Sequence, residues 1–217
     1  MILVKPSSKV LSIMDQLPAD SLGLIELAGR TCYKSEDRIT PDSSLKFVAD
    51  ILKLGHESVI EHSAMTVKFI CDRGVTHELV RHRLCAFSQE STRYCNYSGG
   101  VTFVIPPWVN VEEGNYTEDN TLVSSDEESL LWFSAMWNLE GIYTSLIGKG
   151  WTPQQARSVL PNSLKTEIVV TANFREWRHI FKLRCAKAAH PQMREVMIPL
   201  HEECKRLIPI IFDDIEY

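Results

Sequence analysis

The chain has 217 residues, of which 44% are hydrophobic and 24% are charged, and this composition excludes an intrinsically disordered protein. Its formal net charge of −5 argues against a general nucleic-acid surface, because phosphate binding requires a basic footprint. Every apolar run is shorter than the roughly 18 residues of a membrane span, and the start lacks the basic-then-apolar pattern of a signal peptide. We therefore expect one domain over residues 1–217 in a cytoplasmic protein that binds neither membrane nor nucleic acid.

Hydrophobic periodicity predicts the elements of the first half of the chain. Apolar residues at helical spacing predict helices over residues 21–30 and 44–54, the second stopped by Gly55. Alternating apolar residues predict a half-buried strand over residues 64–72, and residues 101–105 resemble a second strand. The polar stretch from 106 to 125 is typical of a loop.

The second half begins with the clearest helix, from about Asp126 to Lys149. Ser125 and Glu128 form its predicted capping box, Gly148 and Gly150 end it, and its predicted apolar surface consists of Leu130, Leu131, Trp137 and Leu146. Thr152 and Pro153 then start a short helix that carries Arg157.

Alternation returns over residues 165–172 and predicts another strand. Asn173 is the expected cap of the next helix, with Glu176 at its third position, and a last helix spans about 192–207. Helices and strands mix without a βαβ rhythm. The fold class predicted is therefore α+β, with a mixed or antiparallel sheet flanked by helices in a single domain that assembles as an oligomer.

The six cysteines contain no C-x-x-C pair, which favours reduced, mostly buried thiols. Charge is distributed unevenly. Between residues 173 and 194 a single acid, Glu176, stands against six basic residues, namely Arg175, Arg178, Lys182, Arg184, Lys187 and Arg194. A small anionic partner is the natural expectation for such a segment.

Several common sites are not predicted. The chain has neither glycine-rich dinucleotide motif nor phosphate loop. His82 follows His77-Glu78 at the wrong spacing for one helical face, and His62 follows His56-Glu57 too late, so we predict no metal site. No nucleophile elbow surrounds Ser91.

The strongest local signal is the segment from Arg81 to Tyr94. Its three arginines, with hydroxyls and an amide between them, can grip a phosphate and hydrogen-bond a base or ribose. A solvated helix end with salt bridges to Glu78 and Glu90 accounts for this segment equally well.

Wider patterns favour the ligand site. Arg81-His82-Arg83, seven residues, Ser91 and then Arg93 resemble the R-H-R-x7-S signature of flavin-dependent thymidylate synthases. Residues 56–62 resemble the family's H-E-x-x-x-E-H segment, 156–161 its A-R-x-x-L-P helix, and 173–179 with 183–184 its N-x-R-x-W-x-H and L-R elements.

The resemblance implies thymidylate synthesis from deoxyuridine monophosphate (dUMP), with FAD reduced by NADPH, methylenetetrahydrofolate as carbon donor and no covalent protein nucleophile. It assigns FAD to Ser58, Arg81, His82, Arg83, Gln89, Asn173, Phe174, Arg175 and His179. It assigns dUMP to Glu78, Leu79, Val80, Arg81, Gln89, Glu90, Ser91, Thr92, Arg93, Arg157 and Arg184. Among these, Arg184 is the catalytic residue, polarising the pyrimidine.

Helical geometry adds one expectation. Arg175, His179 and Lys182 share a face, whereas Arg184 points almost oppositely, and Arg81 and Arg83 diverge by about 200° if they are helical. We therefore expect active sites shared between subunits, in agreement with the homotetramer that the family implies.

Two other readings stay open. One is a flavin- or nucleotide-binding protein that has lost turnover. The other is a metal-dependent nucleotide hydrolase built on the His/Glu segments near residues 56–62 and 77–82.

Overall fold

The computed structural model describes residues 1–13, 18–120 and 126–217, with only the backbone described at 18–20. Its strands are β1 Ile2–Val4, β2 Ser7–Ile13, β3 Ala64–Asp72, β4 Ala86–Gln89, β5 Thr102–Val104, β6 Gly114–Asn115 and β7 Lys165–Asn173. Its helices are α1 Pro18–Tyr33, α2 Ser43–Lys53, α3 Arg73–Leu79, α4 Glu127–Gly148, α5 Pro153–Ala156, α6 Phe174–Arg184, α7 Pro191–Leu207 and α8 Pro209–Phe212. Short 3₁₀ helices lie at Glu36–Arg38, Glu57–His62 and Arg157–Val159.

The strands form two sheets. In the three-stranded sheet, β1 lies between β5, which runs parallel to it, and β6, which runs antiparallel. The four-stranded sheet has the order β2-β3-β7-β4. The predicted α+β class with a mixed sheet is confirmed.

Contacts divide the chain into two compact units, and neither is continuous in sequence. The first unit comprises Met1–Ser7, Phe69–Arg81 and Ser88–Ile168. The second comprises Ser8–Lys68, His82–Phe87 and Val169–Tyr217. The organisation as a single domain stays a prediction.

The core of the first unit includes Leu3 and Phe103, which stand opposite each other in β1 and β5. Helix α4 covers this core with Phe133, Met136 and Tyr143. The apolar face predicted for α4 was partly wrong, because Leu131 is 74% exposed. Apolar residues lie on several sides of this helix, so the sequence pattern alone does not indicate which side faces the core.

In the second unit, the buried residues of α6 pack beside α7 and α8. Trp177 donates its indole N–H to the backbone oxygen of Met65 at 3.0 Å, and the rings of Phe181 and Phe212 meet edge to face at 5.6 Å. These aromatic side chains fix the rotation of α6, because each buried face must pack against the core. The polar side of α6 is thereby turned outward.

Most predicted boundaries agree with the structure. Strand β3 covers the predicted residues 64–72, and both β3 and β7 bury every second side chain. Helix α2 ends before Gly55, whose φ of 74° is in the left-handed region that glycine tolerates best. The Gln155 side chain accepts from the Thr152 backbone N–H at 2.9 Å, as a capping box requires.

Two local features differ from prediction. Asp126 caps α4 by accepting from the Ser129 backbone N–H, whereas the predicted cap, Ser125, lies outside the described residues. Arg81 and Arg83 occupy turns after α3, so the helical divergence expected for them does not arise. None of the helices in the described part of the chain combines the length and apolar content of a membrane span.

Candidate active site

Helix α6 carries the functional groups of the second unit. Asn173 caps it by accepting from the Glu176 backbone N–H at 2.9 Å, as predicted. The cap starts the helix immediately after β7, so the polar residues of its first two turns emerge at the end of that strand. They border a cavity of about 670 Å³ lined by Glu57, Glu61, Leu84, Asn173, Arg175, Glu176, His179 and Lys182.

Acidic residues of the 3₁₀ helix Glu57–His62 balance the basic side of this cavity. Arg175 donates to Glu61 at 2.5 Å, and Glu57 lies 3.8 Å from the Lys182 ammonium. The hydrogen bond that Arg175 donates to Glu61 raises the pKa of Arg175 above its ordinary value. The cavity therefore offers both donors and acceptors to a ligand.

Arg178 has a structural role instead. Its side chain is 3% exposed, and its guanidinium donates to both carboxylate oxygens of Asp214, at 2.5 and 2.7 Å. It also donates to Glu57 at 3.1 Å and to the backbone oxygen of Ile211. Arg178 is one of the six basic residues between residues 173 and 194, and its charge is neutralised inside the protein. Fewer positive charges are therefore available to an anion than the sequence suggested.

His82 contacts two residues of α6, Glu176 and Arg184, which follow it by 94 and 102 residues in the chain. His82 is 5% exposed, and its Nδ1 lies 3.3 Å from Oε1 of Glu176. Its Nε2 accepts from Nε of Arg184 at 3.0 Å. Burial lowers the pKa of His82 to about 4, and the neighbouring Arg184 and His179 side chains act in the same direction. His82 is therefore neutral near pH 7.

His179 adjoins the same group, with its ring 5.8 Å from that of His82. The possible ligand atoms of His82, Glu176 and His179 all lie within 4.8 Å of one another, which suits a divalent metal in spacing. The sequence did not predict this triad, because His82 precedes Glu176 by 94 residues and His179 by 97. The guanidinium of Arg184 beside His82 is unfavourable for a second cation there.

The first unit contains a different polar group around Gln89 and Glu90. Gln89 donates its amide to the hydroxyls of Thr76 and Thr166 at 3.0 and 3.3 Å. Glu90 accepts from Tyr97 at 2.7 Å and from Lys165 at 3.0 Å. Burial and the hydrogen bond with Glu90 raise the pKa of Tyr97. Glu90 is thus paired with Lys165, a residue that the sequence analysis did not single out.

A second cavity, of about 510 Å³, lies in this unit. Among the described residues its lining contains two guanidinium groups and no carboxylate, and consists of Arg73, His77, Thr92, Gln154, Arg157, Ser158, Leu160, Pro161, Asn162 and Leu164. Arg157 donates to the Thr92 hydroxyl at 3.2 Å. Arg73 was not predicted, and its Nη1 is buried without a hydrogen-bond partner among the described residues.

The remaining predicted residues differ in exposure. Leu79 is buried in the first unit, whereas Val80 is 41% exposed. Ser91 and Glu78 are half-buried, and the exposed ones are Ser58, Arg81, Arg83 and Arg93. The Arg93 guanidinium lies 5.4 Å from the centre of the Tyr94 ring.

The two predicted ligand sets separate between the units. All predicted FAD residues except Arg81 and Gln89 belong to the second unit, and all predicted dUMP residues except Arg184 belong to the first. Comparison with known families identifies the family of the chain. A family model described as the thymidylate synthase complementing protein matches residues 12–210. The chain belongs to this family of flavin-dependent thymidylate synthases.

Relatives named flavin-dependent thymidylate synthase confirm the resemblance and the prediction of an enzyme of this type. The protein of Corynebacterium aurimucosum is 34% identical over 208 residues, covering 93% of this chain and 82% of its own length. That of Corynebacterium efficiens is 33% identical, covering 89% of this chain and 79% of its own length. That of Geobacter sulfurreducens is 32% identical, with coverages of 90% and 82%.

A solved structure shares the fold. The UMP/dUMP methylase PolB from Streptomyces cacaoi, bound with 5-Br dUMP, superimposes with a TM-score of 0.75 at 24% identity. The match covers 98% of this chain and 96% of the other. This chain therefore shares its fold with that structure over nearly its whole length.

Proposed function

We propose that this chain converts dUMP to thymidylate, with methylenetetrahydrofolate as the carbon donor and FAD, reduced by NADPH, as the hydride carrier. The observation that carries the proposal is the convergence of Asn173, Arg175 and His179 on one cavity. All three are FAD residues by the family pattern, and family membership rests on other parts of the chain as well.

The second-unit cavity fits FAD in size and chemistry. Its volume of about 670 Å³ lies within the usual range for cofactor sites. Arg175 and Lys182 suit the diphosphate, and Glu57 and Glu61 can accept from ribose hydroxyls or an adenine amino group. Bound flavin would supply the hydride that completes the methyl group.

The first-unit cavity fits the nucleotide phosphate. Arg157 and Arg73 bring fixed positive charge to a lining without carboxylates, and Thr92 and Ser158 add hydroxyls. The PolB structure is described as holding 5-Br dUMP, which supports a uridine nucleotide as the ligand class. We assign dUMP here to Arg157 and Thr92, together with Gln89, Glu90, Ser91 and Arg93 of the signature.

Arg184 would act on the pyrimidine ring. A guanidinium is always charged in proteins and stabilises negative charge at the N3/O4 edge of uracil while the methylene carbon bonds to C5. The thiol of Cys85, three residues after His82 in sequence, is a poor nucleophile, because burial raises its pKa to about 12. This agrees with chemistry that uses no covalent bond to the protein.

We further propose a homotetramer whose subunits share active sites. Arg175 donates to Glu61 whereas Arg184 donates to His82, so the two arginines have different partners. Light scattering during size-exclusion chromatography would test the assembly. An active monomer would remove this part of the proposal.

The decisive experiment uses the purified full chain with FAD, NADPH, methylenetetrahydrofolate and dUMP. We expect a yellow protein that forms thymidylate, and no product when any one component is omitted. A chelator in a parallel reaction tests the metal-dependent alternative and should leave activity unchanged. A colourless protein that ignores added flavin and releases no thymidylate would overturn the proposal.

A further inference from the structure

We propose that Glu176 and His82 are positioning residues that hold the Arg184 guanidinium in one orientation through a continuous hydrogen-bonded chain. We call this chain, Glu176 to His82 to Arg184, the α6 relay. It rests on the proposed function in one respect, since that function makes Arg184 the group that faces the pyrimidine.

The direction of each hydrogen bond follows from chemistry. Nε of arginine always carries a hydrogen, so Arg184 is the donor to Nε2 of His82, 3.0 Å away. Nε2 must then present a lone pair, and the single proton of the neutral ring lies on Nδ1. Nδ1 is 3.3 Å from Oε1 of Glu176, and we assign this contact as the second hydrogen bond, with the carboxylate as acceptor because it has no hydrogen to donate when ionised. The three residues thus form one chain with a single polarity.

Burial makes the chain persistent. His82 is 5% exposed and Glu176 is 8% exposed, so water competes little for either hydrogen bond. The hydrogen bond from Arg184 itself requires a lone pair on Nε2, so a ring protonated on both nitrogens would break the chain.

The relay gives His82 a different task from direct contact with flavin. Both ring nitrogens already have partners within the second unit, so the imidazole acts on the reaction through Arg184. A guanidinium is planar, and fixing its Nε therefore fixes the plane of its two terminal amino groups. An orientation set before the substrate arrives lowers the entropy cost of the transition state.

The alternative to the relay is that the same side-chain atoms bind a divalent metal. His82, Glu176 and His179 have suitable spacing, and a metal would take the place of the proton on Nδ1. The relay and the metal thus predict opposite protonation of one nitrogen. This difference makes the proposal directly testable.

The first test is nitrogen NMR of the full, flavin-loaded protein labelled with ¹⁵N-histidine. The His82 signals are assigned by their loss in His82→Gln. We expect a proton on Nδ1 and none on Nε2 between about pH 6 and pH 8, unchanged by zinc sulfate or by a chelator. A proton on Nε2, a doubly protonated ring, or a proton on Nδ1 that appears only with chelator would overturn the relay.

The second test is kinetic and compares three variants. Glu176→Ala removes the acceptor, so we expect kcat for thymidylate to fall about 10- to 100-fold with little change in KM for dUMP. Glu176→Gln keeps an acceptor oxygen and should recover most of that loss. Glu202→Gln changes a carboxylate whose side chain is 55% exposed in the same unit and should match the wild type. Equal kcat in all three would contradict the relay.

The two tests separate this inference from the proposed function. NMR reports the hydrogen bonds without any turnover, including in the event that Glu176→Ala does not fold. A wild-type protein that makes no thymidylate yet shows the expected Nδ1 proton removes the function and keeps the hydrogen-bonded chain. A wild type that makes thymidylate with the other tautomer removes the relay alone.

Discussion

Asp214 holds Arg178 through two hydrogen bonds, at 2.5 and 2.7 Å, and so ties the residues after α8 to the buried side of α6. Arg178 is three residues from Arg175, yet its charge is satisfied internally whereas Arg175 borders the candidate FAD cavity. Neighbouring arginines on one helix therefore divide into a structural and a ligand-facing set. Substitutions at the two positions should have separable effects.

Arg178→Ala should lower the free energy of unfolding by about 3 kcal/mol, because it leaves Glu57, Asp214 and a buried carbonyl without their common donor. Urea unfolding followed by circular dichroism measures the change. Arg206→Ala, an exposed residue of α7, is the matched control and should stay within about 0.5 kcal/mol of the wild type. A similar small effect for Arg178→Ala would contradict its structural role.

Stability should fall as the pH is lowered from about 6.5 to 4, and His82 should contribute to the fall. Its folded-state pKa of about 4 is below the ordinary value of 6.5, so the unfolded chain binds more protons in this interval. The contribution is present above pH 6.5 and is lost toward pH 4, by an amount on the order of 3 kcal/mol. Urea midpoints of wild type and His82→Gln measure it as a difference between the two pH profiles. Parallel profiles would mean that His82 is not neutral when folded.

Arg184→Ala should lower kcat for thymidylate by about 10²- to 10³-fold, because a positioned charge at the developing anion is removed. Flavin affinity should change little, since Arg184 does not line the second-unit cavity. Arg184→Lys should rescue only part of the loss, because an ammonium lacks the planar fork. Product chromatography and flavin absorbance give the two quantities. Full turnover in Arg184→Ala would exclude the assigned role.

Arg175→Ala and His179→Ala should each weaken FAD binding, by about tenfold, through loss of a hydrogen bond to an anionic cofactor. Flavin titration monitored by fluorescence gives the dissociation constants. With saturating FAD, kcat should return toward the wild-type value. Unchanged flavin affinity in both variants would move the cofactor away from this cavity.

Arg73→Gln should raise KM for dUMP by about tenfold and leave kcat nearly unchanged, because its guanidinium serves the phosphate and not the reacting ring. Deoxyuridine, which lacks the phosphate, separates this role from a general defect, since the variant and the wild type should handle it alike. Lys149→Gln, at the exposed end of α4, is the charge-matched control. An equal loss with both substrates would show that Arg73 acts only on folding.

Local sequence signals predicted much of the fold. The alternation in β3 and β7 and the Asn173 cap depend on near neighbours in the chain, and all three were confirmed. Leu131 was wrongly predicted to lie on the buried face of α4. This helix is apolar on several sides, and packing against the rest of the protein decides which side is buried. Helix α3 was not predicted, since its seven residues are too few for a clear period.

The candidate site was predictable only as a set of residues. The family pattern supplied His82 and Arg184, but their hydrogen bond joins positions 102 residues apart. Glu176 was interpreted as a capping residue because nothing local marks it as a partner of His82. Arg73 was missed because one isolated arginine resembles any surface charge until the cavity around it is known.

Thiol burial has a consequence for how the protein behaves in air. Cys71, Cys185 and Cys204 are buried, and burial raises the pKa of each, so these sulfurs remain in the unreactive protonated form. Cys32 is exposed, and the first oxidation or alkylation should occur there, on α1 and away from α6. Storage without reductant should therefore modify the surface before it damages the core.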